Sequence, residues 1–297
     1  MIKRPLWLLL AACAIQPAGA QPPASDAIPG YRHTVEQSRF FAGEQHARIE
    51  RIAENDLVKY RGAGGVLVTD EKTGLTMAVQ SGTRDKAAAP VKLRKPAPPM
   101  DPDVHNRRVL DYFMQAGLPR DQVERTHANT YLSASGPASK AISVQPHVDG
   151  YATIVSRKAA GYRVVDSVAW ARMDEKGHVV SEWVYWPPIP AGVVADARRL
   201  DARINGRDRP AFLAKIGAAQ KAGQVVIRHA SPFADGEFKA FASYDVVEQT
   251  QSDGKRGTAA TIRHFDVDGR ELRLPQEMRN AGRDYPPKED AAPTIPK

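Results

Sequence analysis

The stretch VVDSVAWARMDEKGHVVSEWVYW, residues 164–186, alternates apolar and other residues on both sides of a short polar segment. The segment DEKG at 174–177 combines charge with glycine, which is typical of a turn between two strands. Alternation over four to eight residues indicates strands that bury one face. We therefore predict a β-hairpin with strands at 164–173 and 178–186.

The second strand of this hairpin carries three aromatic residues. Successive side chains point to opposite faces of a strand, so Trp183 and Tyr185 share one face, and Val184 and Trp186 share the other. An exposed Trp183 and Tyr185 would form a stacking surface for a sugar, peptide or protein, and they are our candidate binding residues. The alternative is that both belong to the core, since the prolines at 187, 188 and 190 can end the strand and lead into a helix.

Hydrophobic periodicity places further helices and strands on both sides of the hairpin. Helices are expected at 34–56, 103–117 and 191–205, with a shorter one at 210–222, and strands at 66–69, 75–80, 126–134, 151–157, 224–230, 237–249 and 258–267. Strands that follow one another without regular helices between them favour antiparallel pairing. The order therefore predicts an α+β fold in which antiparallel sheets, built from meanders and hairpins, pack with a few helices.

Changes in composition divide the chain into segments. The clearest boundary is AAAPVKLRKPAPPMDP at 87–102, where five prolines flank a cluster of three basic residues. We expect a signal peptide (1–20), a disordered lead-in (21–33), a helix plus β-hairpin subdomain (34–86), a Pro-rich basic linker (87–102), a main α+β domain (103–277) and a disordered tail (278–297).

The first twenty residues predict export. Lys3 and Arg4 precede an apolar run that is too short to span a bilayer, and Ala18 and Ala20 give the small-x-small pattern of a signal-peptidase site. A periplasmic or secreted protein is therefore expected. The sequence LAAC ending at Cys13 also fits a lipobox, so a membrane-anchored lipoprotein with Cys13 lipidated is the alternative.

The composition and the motifs of the chain limit the kinds of site that we expect. Cys13 is the only cysteine, so neither an internal disulfide nor a thiolate metal cluster is expected. The net charge of +8 is a mild excess and, with export, disfavours nucleic acid as a partner. The sequence contains neither HExxH nor GxSxG, and DVDG at 266–269 lacks the ligand spacing of a calcium loop. We therefore predict no metal, no cofactor and no catalytic residue.

The segment 161–186 resembles the strand-turn-strand unit of PepSY and FTP-type domains, which occur in protease propeptides and other exported bacterial proteins. Gly161, Val164, Val165 and Ser167 fit its first strand, and the turn at 174–177 fits its acidic-Gly turn. With the upstream helix, the resemblance covers about residues 103–186. It implies a small cystatin-like α+β sheet that binds protein or peptide, and it carries over no catalytic residue.

These observations predict an exported, non-catalytic protein of the cell envelope that binds a peptide or protein partner through a sheet face. One alternative is an exported hydrolase whose site is assembled only in three dimensions, for example from His147, Asp149 and Ser156. Another is a structural lipoprotein tethered at Cys13, the only case in which we expect contact with a membrane.

Overall fold

The computed structural model describes residues 27–42, 49–80, 100–133, 147–218, 222–230, 240–250 and 259–272. The predicted signal peptide with Cys13, and the tail at 278–297, lie outside the described residues, as does 87–99 of the predicted linker. The strands are β1 (Glu50–Glu54), β2 (Leu57–Arg61), β3 (Gly65–Asp70), β4 (Thr76–Gln80), β5 (Val123–Ser133), β6 (His147–Ala159), β7 (Tyr162–Met173), β8 (Val179–Tyr185), β9 (Gly223–His229), β10 (Ala240–Thr250), β11 (Ala259–Phe265) and β12 (Glu271–Leu272). The helices are α1 (Pro102–Gln115), α2 (Ala191–Asn205) and α3 (Arg209–Lys215).

The hairpin predicted at 164–186 is confirmed. Strands β7 and β8 pair antiparallel, with Trp170 opposite Trp183 and Val168 opposite Tyr185. A second hairpin precedes it, because β6 returns as β7 through a two-residue turn at Ala160 and Gly161, both with positive φ. The three strands β6, β7 and β8 form the centre on which the rest of the sheet is built.

Strand β7 has three neighbours. Strand β6 pairs along both halves of β7, from Ala152 opposite Arg172 to Ala159 opposite Tyr162. The other edge of β7 is therefore shared, with β8 on its second half and β9, in parallel, on residues 163–165. Between these two stretches Asp166 adopts a φ of 65°, which a non-glycine residue rarely does. The sheet branches at this point.

The predicted fold class is wrong. The protein is mostly β, and its strands form a large curled mixed sheet, a half-barrel, instead of an α+β fold of antiparallel meanders or a cystatin-like sheet. Ten strands follow one path, β1-β2-β3-β4-β8-β7-β9-β10-β11-β12, and β5 and β6 lie beside it. The parallel pair β7–β9 joins strands that α2 and α3 separate in sequence, a long-range contact that local alternation does not reveal.

Two predictions near the N-terminus also need correction. The helix expected at 34–56 is contradicted by the described part of that range, since residues 50–54 are strand β1 and pair with β2. Cross-strand pairing here outweighs the helical propensity of a Glu- and Arg-rich segment. Residues 27–33, assigned to a disordered lead-in, are ordered: Ile28 pairs with Ile189 and Tyr31 with Trp186 through backbone bridges. The strands predicted at 66–69 and 75–80 are confirmed as β3 and β4.

All three helices pack on one face of the sheet. The predicted start of α1 is confirmed, as the Asp101 carboxylate accepts hydrogen bonds from the backbone N–H groups of Asp103 and Val104. Helix α1 packs in a core that includes Val155, and α2 and α3 in a second core that includes Ala159. Residues 155, 157 and 159 lie on the same face of β6 because side chains alternate. We call this the helix face, and the one with Ile154, Trp170 and Trp183 the opposite face.

Candidate functional site

Trp183 is half-buried on the opposite face and lies in a row of apolar side chains. Trp170 of β7 is its direct cross-strand neighbour, and Met77 of β4 is its neighbour on the other side. Ile154 of β6 extends the row past Trp170. All four side chains are half-buried, so each keeps part of its apolar surface accessible. We call Met77, Trp183, Trp170 and Ile154 the aromatic row.

Tyr185, the other predicted binding residue, is not part of this surface. Only 1% of it is exposed, and its hydroxyl donates to the backbone oxygen of Ala230 at 2.9 Å. Burial raises the pKa of Tyr185, with a further contribution from Asp166 and Asp70, so the phenol stays protonated. The alternation of β8 does put Tyr185 beside Trp183, but the end of β8 meets the end of β9 along β7, which encloses Tyr185.

Trp170 and Met77 were not predicted as site residues. The hairpin alternation already places Trp170 on the face of Trp183, which was an available signal. Met77 had none, because β4 and β8 are separated by about one hundred residues in the chain and their pairing depends on the tertiary fold. The site therefore combines one neighbour that the local pattern indicates with one that it does not.

A cavity of about 540 Å³ runs along one side of the aromatic row, where all four strands contribute to its lining. Val79 and Ser181, which line it, are paired two residues beyond Met77 and Trp183, and Val79 is 53% exposed. Arg172 lies at the rim, where it forms an ion pair with Asp149 at 2.8 Å. The guanidinium of Arg172 also stacks 5.2 Å from the centre of the Tyr131 ring. The cavity thus adds a polar, charged border to an apolar surface.

His105 lines the same cavity, but its hydrogen bonds stabilise the fold. Its Nε2 accepts from the backbone N–H of Met173 at 3.1 Å, so the proton of the neutral ring is on Nδ1, which donates to Thr153 Oγ1 at 2.7 Å. The Thr153 hydroxyl donates in turn to Asn106 at 2.8 Å. Burial lowers the pKa of His105. With both nitrogens engaged, His105 is not available as a general base.

A second polar network lies in the core of the helix face. Tyr112 donates to the buried carboxylate of Glu182 at 2.5 Å, and Ser38 also donates to it. His33 connects the hydroxyls of Tyr112 and Tyr31, at 2.9 and 2.7 Å. Burial, then the Glu182 charge, raises the pKa of both tyrosines. This network fastens the segment 27–42 to α1 and β8, and the sequence did not indicate a buried acid at position 182.

The residues named for a hydrolase are not brought together. Asp149 and Ser156 are seven positions apart on β6, roughly 23 Å along an extended strand. Asp149 pairs with Arg172, whereas Ser156 is buried opposite Val168. The side chain of His147 lies outside the described part of the chain.

Comparison with models of known families, with curated proteins and with solved structures finds no match for this chain. The resemblance to PepSY and FTP-type domains therefore stays a prediction. Among the residues that the structure describes, no helix is long and apolar enough to cross a membrane. Within the same ranges, no group of three or more His, Asp or Glu side chains is arranged to hold a metal ion.

Proposed function

We propose that this chain is an exported, non-catalytic protein of the cell envelope that binds an apolar segment of a peptide or protein partner on the aromatic row. The observation that carries the proposal is the register of Met77, Trp183, Trp170 and Ile154 across four neighbouring strands. Four strands span roughly 14 Å, which is the length of a short peptide segment and not of a single side chain.

The chemistry of the row favours a polypeptide ligand. Tryptophan supplies a large, rigid contact area and is enriched among the residues that dominate binding energy in protein interfaces. Methionine adapts to differently shaped apolar partners. The border at Arg172 and Asp149 provides the polar rim that surrounds the apolar centre of an interface. The partner is therefore expected to present adjacent apolar side chains, with charged groups at its ends.

The cellular location of the protein is part of the same proposal. Export rests on the signal at residues 1–20, and the mature protein then begins at Gln21 in the periplasm or outside the cell. Lipidation of Cys13 would instead anchor it to a membrane. Mass spectrometry of the mature N-terminus distinguishes the two, since an acylated Cys13 and a free Gln21 differ in mass and in terminal residue. An uncleaved chain would contradict export by either route.

Binding is tested with an array of random peptides and the purified mature protein. We expect the bound peptides to be enriched in adjacent apolar residues. Trp183→Ala and Trp170→Ala should each weaken binding of a selected peptide more than tenfold, because loss of a central tryptophan in an interface costs ~2 kcal/mol or more.

Leu132→Ala is the matched control, since Leu132 is also apolar and 61% exposed but lies on β5 outside the row. It should leave the affinity unchanged. Circular dichroism establishes that each variant is folded. The proposal is wrong if the folded wild type selects no peptides, if all three variants bind alike, or if the two tryptophan variants unfold.

A further inference from the structure

A charged cluster lies on the opposite face of the sheet at its other end, away from the aromatic row. It consists of Asp166 on β7, Arg228 on β9, Ser243 and Asp245 on β10, and His264 on β11. Four of the five are buried, and only Asp166 keeps a partly exposed side chain, at 44%. Buried charges at a sheet surface are costly unless they are paired or functional.

Asp245 holds Arg228 in place. Its Oδ2 accepts from Nε and Nη2 of Arg228 at 3.1 and 2.7 Å. Its Oδ1 accepts from Ser243 Oγ at 2.7 Å and His264 Nδ1 at 2.8 Å. Burial by itself would raise the pKa of Asp245, but these hydrogen bonds and the Arg228 charge together lower it. The Asp245 carboxylate therefore stays ionised, and its acceptor positions are all in use.

A cavity of about 450 Å³ opens beside this pair. Its charged lining is Arg163, Arg228 and Asp245. Because Asp245 is already fully hydrogen-bonded, the two arginines are the groups in this lining that can attract an anion. Its apolar wall includes the cross-strand neighbours Val247 and Ile262, which are 43% and 44% exposed. A volume in the range of ~300–1,000 Å³ is typical of small-molecule sites. Positive charge against an apolar wall fits a ligand with a negative group and an apolar body.

Asp166 occupies the outer side of Arg228. Its Oδ2 accepts from Nη1 at 2.9 Å, and its backbone is held at a φ of 65°. Burial raises the pKa of Asp166 even though Arg228 opposes the shift. A half-exposed carboxylate in a rarely populated backbone conformation is held at a cost. Movement of this side chain into water would leave Nη1 of Arg228 without this acceptor unless another acceptor took its place.

We propose that this cavity binds a small amphipathic carboxylate, whose carboxylate replaces Asp166 on Arg228 and whose apolar part lies against Val165, Val247 and Ile262. Asp166 then acts as an internal substitute for the ligand when the cavity is empty. The inference is independent of the aromatic row and goes beyond the proposed function, because it concerns a second site and a different class of ligand.

A carboxylate fits this site better than phosphate. A guanidinium matches carboxylate and phosphate geometry alike, but the group that already occupies Nη1 of Arg228 here is a carboxylate. Arg163 adds a second positive charge at the cavity, and its own partner, Glu124, is 3.6 Å away on a partly exposed side chain. It is therefore able to turn toward a bound anion without leaving a buried charge unpaired.

The proposal is tested by isothermal titration calorimetry of the folded mature protein with octanoate. Octanol, which lacks the charge, and acetate, which lacks the apolar chain, are the matched ligands and should each bind at least about tenfold more weakly. A valine-ending peptide with a free C-terminus, its amidated form and inorganic phosphate distinguish the possible sources of the anion. Tighter binding of the free-acid peptide than of octanoate would identify a peptide C-terminus as the ligand.

Three variants test the site, of which one is expected to tighten octanoate binding and two are expected to weaken it. Asp166→Gly removes both the competing carboxylate and the strain, so it should tighten octanoate binding about tenfold. Arg163→Gln and Ile262→Gln should each weaken it, and both sites are accessible enough for the variants to fold. Octanoate binding no tighter than octanol binding, tighter phosphate binding, or an Asp166→Gly variant with unchanged or weaker affinity would overturn the proposal.

Discussion

Trp183 and Trp186 stand three positions apart at the end of β8, and they lie on opposite faces of the sheet. Trp186 is fully buried on the helix face, where its Nε1 donates to Gln122 Oε1 at 2.9 Å and its ring lies 5.1 Å from the Arg157 guanidinium. Trp183 remains half-buried between Met77 and Trp170. A tryptophan therefore stabilises the core on the helix face, whereas on the opposite face a tryptophan keeps part of its surface accessible to a partner.

Arg157 and Arg228, the two arginines buried within the described ranges, differ in the same way. Arg157 lies between the two cores and donates to neutral acceptors, including Gln122 Oε1 at 2.9 Å and the backbone oxygen of Pro187 at 2.6 Å. Burial lowers its pKa to about 9. Arg228 is held by carboxylates beside a cavity, and one of them is half-exposed. On the helix face the polar groups hydrogen-bond to one another inside the core. On the opposite face Arg228 pairs with a carboxylate that a ligand can replace.

The largest expected effect tests this difference directly. Trp186→Ala should lower the free energy of unfolding by about 3–5 kcal/mol, since it removes a fully buried aromatic side chain and leaves a cavity. Trp183→Ala should cost clearly less, because its ring is already partly exposed. Urea unfolding of both variants measures the difference. Equal losses would show that Trp183 belongs to the core, and the distinction between the faces would be lost.

A smaller effect separates the faces by pH. On the helix face, burial and then the Arg157 charge lower the pKa of His229 from 6.5 to about 3. Between these values the unfolded chain binds more protons than the folded one, so stability should fall as the pH drops from 6.5, by at most ~1.4 kcal/mol per pH unit.

The contribution of His229 is isolated by comparison with a variant. Urea midpoints of the wild type and of His229→Gln at pH 6.5 and pH 5 should show a weaker pH dependence in the variant. Its overall stability can differ without affecting this comparison, because the slope is measured. Identical slopes would mean that His229 is not buried in its neutral form.

The smallest effect concerns the turn of the β6–β7 hairpin, which both cores share. Ala160 has a φ of 50° and is exposed, and Gly161 follows it with a φ of 87°. Asn-Gly is the preferred pair for a two-residue turn with both φ values positive. Ala160→Asn should therefore raise the free energy of unfolding by ~0.5–1 kcal/mol.

Thermal unfolding measures the change, and Lys158→Asn in the adjoining strand is the control. Unlike Ala160, Lys158 is an ordinary strand residue, so no gain is expected there. Because the turn touches neither the aromatic row nor the Arg228 cluster, the Ala160→Asn variant should keep its ligand affinities. A loss of stability would contradict the turn assignment.

Local signals in the sequence were sufficient to predict those elements that depend on residues close together in the chain. Asp101 before Pro102 identified the start of α1, and DEKG identified the turn between β7 and β8. The prediction of a helix at 34–56 was wrong because β1 forms through its pairing with β2 and not through the helical propensity of its own residues. Tyr185 was grouped with Trp183 by alternation alone, which could not show that β8 and β9 meet end to end and enclose it.

By itself the sequence determined the central hairpin, the cap of α1 and the extent of α2, because each depends on residues close together in the chain. Only the tertiary structure decided the parallel pairing of β7 with β9, the position of Met77 beside Trp183, and the convergence of residues 166, 228, 243, 245 and 264. These contacts join distant segments, and their free energy is gained only after the whole sheet has closed around them.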